Sequence, residues 1–237
     1  LPGVQEELID ALCETGTPVV VVLVTGKPFE MIRIKDKAAA LVVQWYAGEE
    51  QGSAIAELLF GKENFSGRLP VSFPKSTGHL PCYYNYYPSD KGYYNRKGSL
   101  DKPGRDYVFS DPYALYTFGY GLSYSKFEYT DMMIEIADGK DASGAGSLSM
   151  DDTIIVKVGL KNISDISGKE TVQIYANDKA SSYITPAKSL IGYKKVEVKP
   201  LSETVAVFEI SASRLAFYDK HGKLTLELGD FEIMACP

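Results

Sequence analysis

Few side chains in this 237-residue chain have types and spacing suited to catalysis. Glu49 and Glu50 lie side by side in an Ala-Gly-Glu-Glu-Gln-Gly stretch, His79 and His221 stand far apart, and Cys13, Cys82 and Cys236 are widely spaced. An acid and a base that serve one reacting atom must converge on it. Adjacent helical residues point about 100° apart, so Glu49 and Glu50 diverge. They read instead as carboxylates placed at a helix N-terminus, the alternative being a hydrogen bond toward a functional loop. The two histidines belong to no ligand-spaced motif and read as solvated or turn residues. Three cysteines, odd in number, argue against a disulfide framework and against a zinc site, and three reduced thiols are expected. No catalytic residue, metal ligand or cofactor is assigned within the chain.

Tyrosine is the more informative residue type. There are 17 Tyr against one Trp, many of them between Tyr83 and Tyr129. Such rings suit stacking on sugars, and they equally suit packing at a joint between domains, because tyrosine joins an apolar body to a polar tip. From Gly61 to Pro112 the chain loses periodicity and fills with Gly, Pro, Asn, Asp and Tyr. That is far longer than the roughly 12 to 15 residues of an ordinary loop, and long loops in compact domains often carry function.

The elements around this loop differ in kind. Val4, Leu8, Ala11 and Leu12 recur at helical spacing behind Glu6 and Glu7, which predicts a helix over about 3–14. Val19 to Val24 is a continuous apolar run, the mark of a strand buried on both faces, and Ala38 to Trp45 repeats it. The segment between holds a crossover with a short helix near Phe29 to Ile34, as parallel strands require. A further helix carries Ala54, Ile55, Leu58 and Leu59 on one face, with Glu49 and Glu50 in its first turn and Gly61 at its end. This is an α/β unit, and an incomplete one, since two parallel strands fall short of the usual five or six.

Arg105 to Tyr124 forms a seam in which Phe118, Tyr120 and Tyr124 alternate with Gly119 and Gly121, a mixture that a rigid joint would use. Beyond it come short alternating runs near Lys126 to Ile136, Thr153 to Lys161, Glu170 to Asn177, Ser189 to Val198, Thr204 to Ile210 and Leu224 to Ala235, the last broken at Gly229-Asp230. Asp138 to Met150 is a polar connection. Seven or so short strands imply an antiparallel β-sandwich, with Ile155, Val172, Ile174, Val207 and the neighbours of Phe208 pointing inward. The fold class is α/β plus all-β, with domains at 1–123 and 124–237.

A composition of 45% hydrophobic and 24% charged residues is that of a globular protein with ample core. The longest apolar run is far short of the roughly 20 residues of a membrane span. A formal charge of -6 without a Lys/Arg run leaves no footprint for nucleic acid. The start has neither initiator Met nor apolar signal segment, which reads as a processed terminus or the edge of a longer protein, with the pattern that follows favouring the latter.

Several stretches carry a resemblance: Leu1-Pro2-Gly3-Val4-Gln5, Pro18 to Pro28, Ala47-Gly48-Glu49-Glu50-Gln51-Gly52, Leu59 to Pro74 with its Gly67-Arg68-Leu69-Pro70, and Phe118-Gly119-Tyr120-Gly121-Leu122-Ser123-Tyr124. Asn162 to Gln173 and Leu190 to Val196 with Pro200 extend it. The chain resembles the C-terminal part of a glycoside hydrolase family 3 enzyme of the β-glucosidase type. The resemblance implies an incomplete α/β sandwich domain followed by a fibronectin type III-like β-sandwich. It also implies an exo-acting retaining enzyme that acts on terminal non-reducing β-D-glucosyl residues, with an Asp nucleophile in an N-terminal (β/α)8 barrel and a Glu acid/base shortly before Leu1. Neither motif is in this sequence, so the chain alone should be inactive. Tyr86, Tyr93 and Tyr94 become the candidates for contacting the leaving-group sugar or the missing barrel. The implied partners are an oligosaccharide or β-glycoside substrate and that N-terminal barrel, and the implied location is periplasmic or extracellular. The alternative is a non-catalytic module that binds carbohydrate or a protein partner.

Overall fold

The computed structural model describes residues 1–88, 100–101, 113–137 and 148–237. Tyr93, Tyr94, the first part of the seam and most of the polar connection after Asp138 lie outside the described residues. The chain divides into two compact units. One comprises Leu1–Glu63, Leu69–Tyr84 and the stretch ending at Tyr120; the other contains Asn64–Arg68 and Gly121–Pro237.

In the first unit, α1 spans Gln5–Glu14, with Glu6 and Glu7 at the positive end of its dipole, and Gly16 takes φ +79 just beyond its close. Strand β1 (Val20–Val24) pairs in parallel with β2 (Ala40–Gln44), Val20 opposite Ala40 and Val24 opposite Gln44. A single turn of helix, α2 (Ile32–Lys35), lies on the crossover and buries Ile34. Helix α3 runs Gln51–Leu59. Its start departs from expectation: Gly48 turns the chain at φ +84 and Glu50 is the non-helical cap, so both glutamates precede the first turn and are exposed. No residue of α3 is buried.

The core of this unit is Ile9, Leu23, Met31, Ile34 and Phe73, with Trp45, Leu69, Leu115 and Tyr116 packed against it. Phe73 belongs to the stretch read as an aperiodic loop. It is fully buried, its N–H donates to the Tyr116 carbonyl (2.8 Å), and its own carbonyl accepts from Leu115 (2.8 Å). Leu69 and Tyr120 are joined in the same way, at 2.9 Å. Part of the long connection is thus an irregular ribbon that buries an aromatic anchor.

The second unit is a sandwich of two three-stranded antiparallel sheets. One has the order β3 (Phe127–Ile136), β4 (Thr153–Asn162), β7 (Glu203–Ser211); the other has β10 (Phe231–Cys236), β5 (Gly168–Asp178), β6 (Ser189–Val198). The run Leu224 to Ala235 is two strands as expected, β9 (Leu224–Thr225) and β10, and β9 pairs with β8 (Phe217–Tyr218), a two-residue strand that the sequence pattern does not announce. Alternation along β4 buries Ile154, Val156, Val158 and Leu160, which meet Val172, Ile174, Ala176, Ala206, Phe208 and Ile210 in the core. Val172 and Ile174 are inward as expected. Ile155 and Val207 are not: Ile155 lies on the half-exposed face of β4, and Val207 is 40% exposed. Both strands carry β-branched residues on two faces, so alternation alone sets the period and leaves the phase to pairing. A bulge in β3 between Tyr129 and Met132 brings Thr130 over β4, where a Cβ at Gly159 would lie 2.2 Å from the Thr130 hydroxyl oxygen.

Candidate functional site

In the first unit the carboxyl ends of the two parallel strands form a cleft, the place where open α/β sheets hold ligands. Its volume is ≈ 310 Å³, and Gln5, Thr25, Gly26, Lys27, Phe29 and Tyr46 are among its lining residues. Strand β1 delivers Thr25, whose N–H continues the ladder to the Gln44 carbonyl (3.2 Å). The buried Thr25 hydroxyl donates to the Lys27 carbonyl (2.7 Å) and accepts from the Lys27 N–H (3.1 Å), closing a tight turn with Gly26 at its crest. Strand β2 delivers a Trp-Tyr pair. Trp45 turns inward with its ring centroid 6.2 Å from that of Phe73, and Tyr46 is 76% exposed.

The two strand ends touch through glycine. A Cβ on Gly26 would stand 2.7 Å from Tyr46 Cε2 and 3.4 Å from its hydroxyl oxygen, so the phenol end of the ring seats on bare backbone. Lys27 Nζ lies 5.3 Å from the centre of the Phe29 ring, a cation–π contact at the cleft wall. The Gln44 amide donates to the Gln51 carbonyl (2.7 Å), tying the start of α3 to the end of β2. Among the described residues, no carboxylate, imidazole or thiol side chain lines the cleft. Gly26, Lys27 and Tyr46 escaped sequence reasoning, although each follows directly on an apolar run read as a parallel strand.

Of the tyrosines singled out, Tyr86 is half-buried, and its backbone carbonyl accepts from the Ala187 N–H (2.9 Å). Its neighbour Tyr84 stacks on Phe118 at 4.2 Å. His79 is buried in a 3-10 turn, so it is a turn histidine but not a solvated one; His221 is exposed in a turn anchored by Asp219. Cys13, Cys82 and Cys236 are half-buried and form no disulfide with one another, and the Cys13 thiol donates to the Lys37 carbonyl (3.7 Å). Among the described residues there is no cluster of three His, Cys, Asp or Glu suited to a metal, and no helix is long and apolar enough to cross a membrane.

The second unit holds the one buried ionic cluster among the described residues for which the sequence has no local signal. Glu170, 1% exposed on the inner face of β5, accepts from Arg68 Nη2 with both oxygens (3.0 and 2.8 Å) and from the Tyr129 hydroxyl (3.0 Å). Burial first, and then the neighbouring carboxylate, hold the Tyr129 phenol far above its usual range. Arg68 Nε and Nη1 are buried with no hydrogen-bond partner among the described residues. Asn64 reinforces this segment: its amide donates to the Ser125 hydroxyl (2.8 Å) and the Ser167 carbonyl (3.0 Å), and its oxygen accepts from Ser123 and the Tyr124 N–H. Gly121 is required here because a Cβ would fall 2.3 Å from the Gly67 carbonyl oxygen. The Ser-Gly-Arg and Tyr-Gly-Leu-Ser-Tyr motifs therefore meet each other, and their work is structural.

Two family models match the chain. Residues 1–124 match the glycosyl hydrolase family 3 C-terminal domain, and residues 170–237 match a fibronectin type III-like domain. The chain belongs to glycoside hydrolase family 3. It is 34% identical over 236 residues to the periplasmic beta-glucosidase of Salmonella typhimurium, which covers 98% of this chain and 29% of that protein. It is 37% identical over 236 residues to thermostable beta-glucosidase B of Acetivibrio thermocellus, covering 99% and 30% respectively. Among solved structures, a β-glucosidase from Erythrobacter marinus superposes with a TM-score of 0.86 at 35% identity, over 100% of this chain and 29% of that one. The chain thus spans a little under a third of the relatives it matches.

Proposed function

We propose that this chain is the C-terminal portion of an exo-acting retaining β-glycosidase, most simply a β-glucosidase, whose catalytic carboxylates are supplied from outside these residues. The observation that carries the reading is the near-complete match of the chain to less than a third of proteins named beta-glucosidases. Retaining hydrolysis needs two carboxyl groups about 5 to 5.5 Å apart, one a nucleophile and the other an acid that later acts as base. Glu49 and Glu50 are exposed before α3 and do not line the cleft, so neither can serve. The contribution of this chain is a binding wall at the carboxyl edge of β1 and β2, and Tyr86, Tyr93 and Tyr94 are the candidates for contacting the leaving-group sugar or the missing barrel in the whole enzyme. The name of the Salmonella relative supports a location outside the cytoplasm.

Hydrolysis of nitrophenyl β-glucoside and nitrophenyl β-xyloside tests the reading. The isolated chain should give no turnover above blank, since loss of both carboxylates removes many orders of magnitude in rate. The uninterrupted gene product should hydrolyse the glucoside. Turnover by the isolated chain, or none by the whole product on any β-glycoside, overturns it.

A further inference from the structure

The cleft at the strand ends has a composition that selects a ligand class. Of its two aromatic members, Phe29 is half-buried beneath Lys27, whereas Tyr46 is largely exposed with its phenol end seated on Gly26, so the Tyr46 ring has a defined position and an open face. Beside it stand one amide, Gln5, and one ammonium, Lys27, the latter held over Phe29. A metal would need carboxylate or imidazole ligands, and the lining has none. A volume of ≈ 310 Å³ is at the lower end for ligand pockets, enough for a small ring compound.

The geometry points to Tyr46 as a stacking platform for a pyranose ring, with Gln5 and Lys27 donating to its equatorial hydroxyls. A pyranose presents an apolar C–H face and a polar rim, which matches one exposed ring flanked by neutral and cationic donors. The choice of a β-glucoside as ligand rests on the glycosidase reading above. The platform itself rests on the residues of the first unit alone.

Saturation-transfer NMR of the 237-residue chain with cellobiose as probe tests it, using Tyr46→Ala, Tyr46→Phe and, as control, Tyr193→Ala, which removes a ring 72% exposed on β6. Transfer to the glucosyl protons is expected for wild type, for Tyr193→Ala and, within about twofold, for Tyr46→Phe. It should fall about three- to tenfold in Tyr46→Ala, the loss of one aromatic contact. Because Tyr46 is largely exposed, its removal leaves the core of the unit in place. No transfer in wild type, equal transfer in Tyr46→Ala, or a loss in Tyr46→Phe as large as in Tyr46→Ala each overturns the platform. Failure here combined with hydrolysis by the uninterrupted gene product removes the platform and leaves the enzyme reading standing. Binding without any such hydrolysis does the reverse.

Discussion

Replacing Arg68 by Leu isolates the energetics of the buried ionic cluster. Glu170 has three donated hydrogen bonds, two from Arg68 and one from Tyr129, and 1% exposure. Leucine fills much of the arginine volume but strands a carboxylate in the sandwich interior. Breaking one side of a buried pair costs about 3 to 5 kcal/mol. Arg68→Leu should therefore destabilise the second unit by about 3 to 5 kcal/mol. The double variant Arg68→Leu/Glu170→Leu removes both charges and leaves only the Tyr129 hydroxyl without its acceptor, so its loss should be about 1 to 2 kcal/mol. Urea unfolding followed by far-ultraviolet circular dichroism reads the strands, most of which belong to the second unit, and fluorescence of the single tryptophan, Trp45, reads the first. An Arg68→Leu loss below about 1 kcal/mol, or a double variant as unstable as the summed single ones, would refute the argument.

Two further predictions concern the same sandwich. The Tyr129 phenol titrates well above its unfolded value, so above about pH 10 the unfolded chain releases a proton that the folded chain keeps. Stability should then fall with rising pH by about 1.4 kcal/mol per unit more steeply in wild type than in Tyr129→Phe; parallel alkaline profiles from urea titrations would sink this. Ile174→Ala should cost about 2 to 5 kcal/mol, and Ile155→Ala, on the half-exposed face, about 1 kcal/mol or less. Equal midpoint shifts in denaturant would show the inward face to be misassigned.

What could be read from the residues follows the range of the interactions. Continuous Val/Leu runs and a helix between them announce a parallel pair, and period-two runs announce strands, because both patterns are local. The phase of a strand is not local. Ile154-Ile155-Val156 and Val205-Ala206-Val207 are apolar on both faces, and only pairing of β4 with β3 and β7 decides which face turns in. Glu170 is separated from Arg68 by 102 positions in the sequence, so no spacing rule could pair them. Phe73 looked like one more loop aromatic because its partner strand, near Tyr116, is too irregular to show a period. The cleft was legible in principle, since Gly26 and Tyr46 follow the two parallel strands directly, but their contact depends on a register, Val24 opposite Gln44, that becomes visible only when the strands are paired.

The allotment of Asn64–Arg68 to the second unit also bears on how such modules can be exchanged between genes. A crossover placed at Gly121, where the contiguous stretch of the sandwich begins, would transplant β3 to β10 together with Glu170 and leave behind Arg68, Asn64 and the Ser66 carbonyl that accepts from Thr171. The recipient would inherit an interior carboxylate without its counter-ion. A recombination that preserves the sandwich has to carry the earlier five residues as well, which lie upstream of the phenylalanine anchoring the first unit. The two units are separate in their cores and inseparable as units of inheritance.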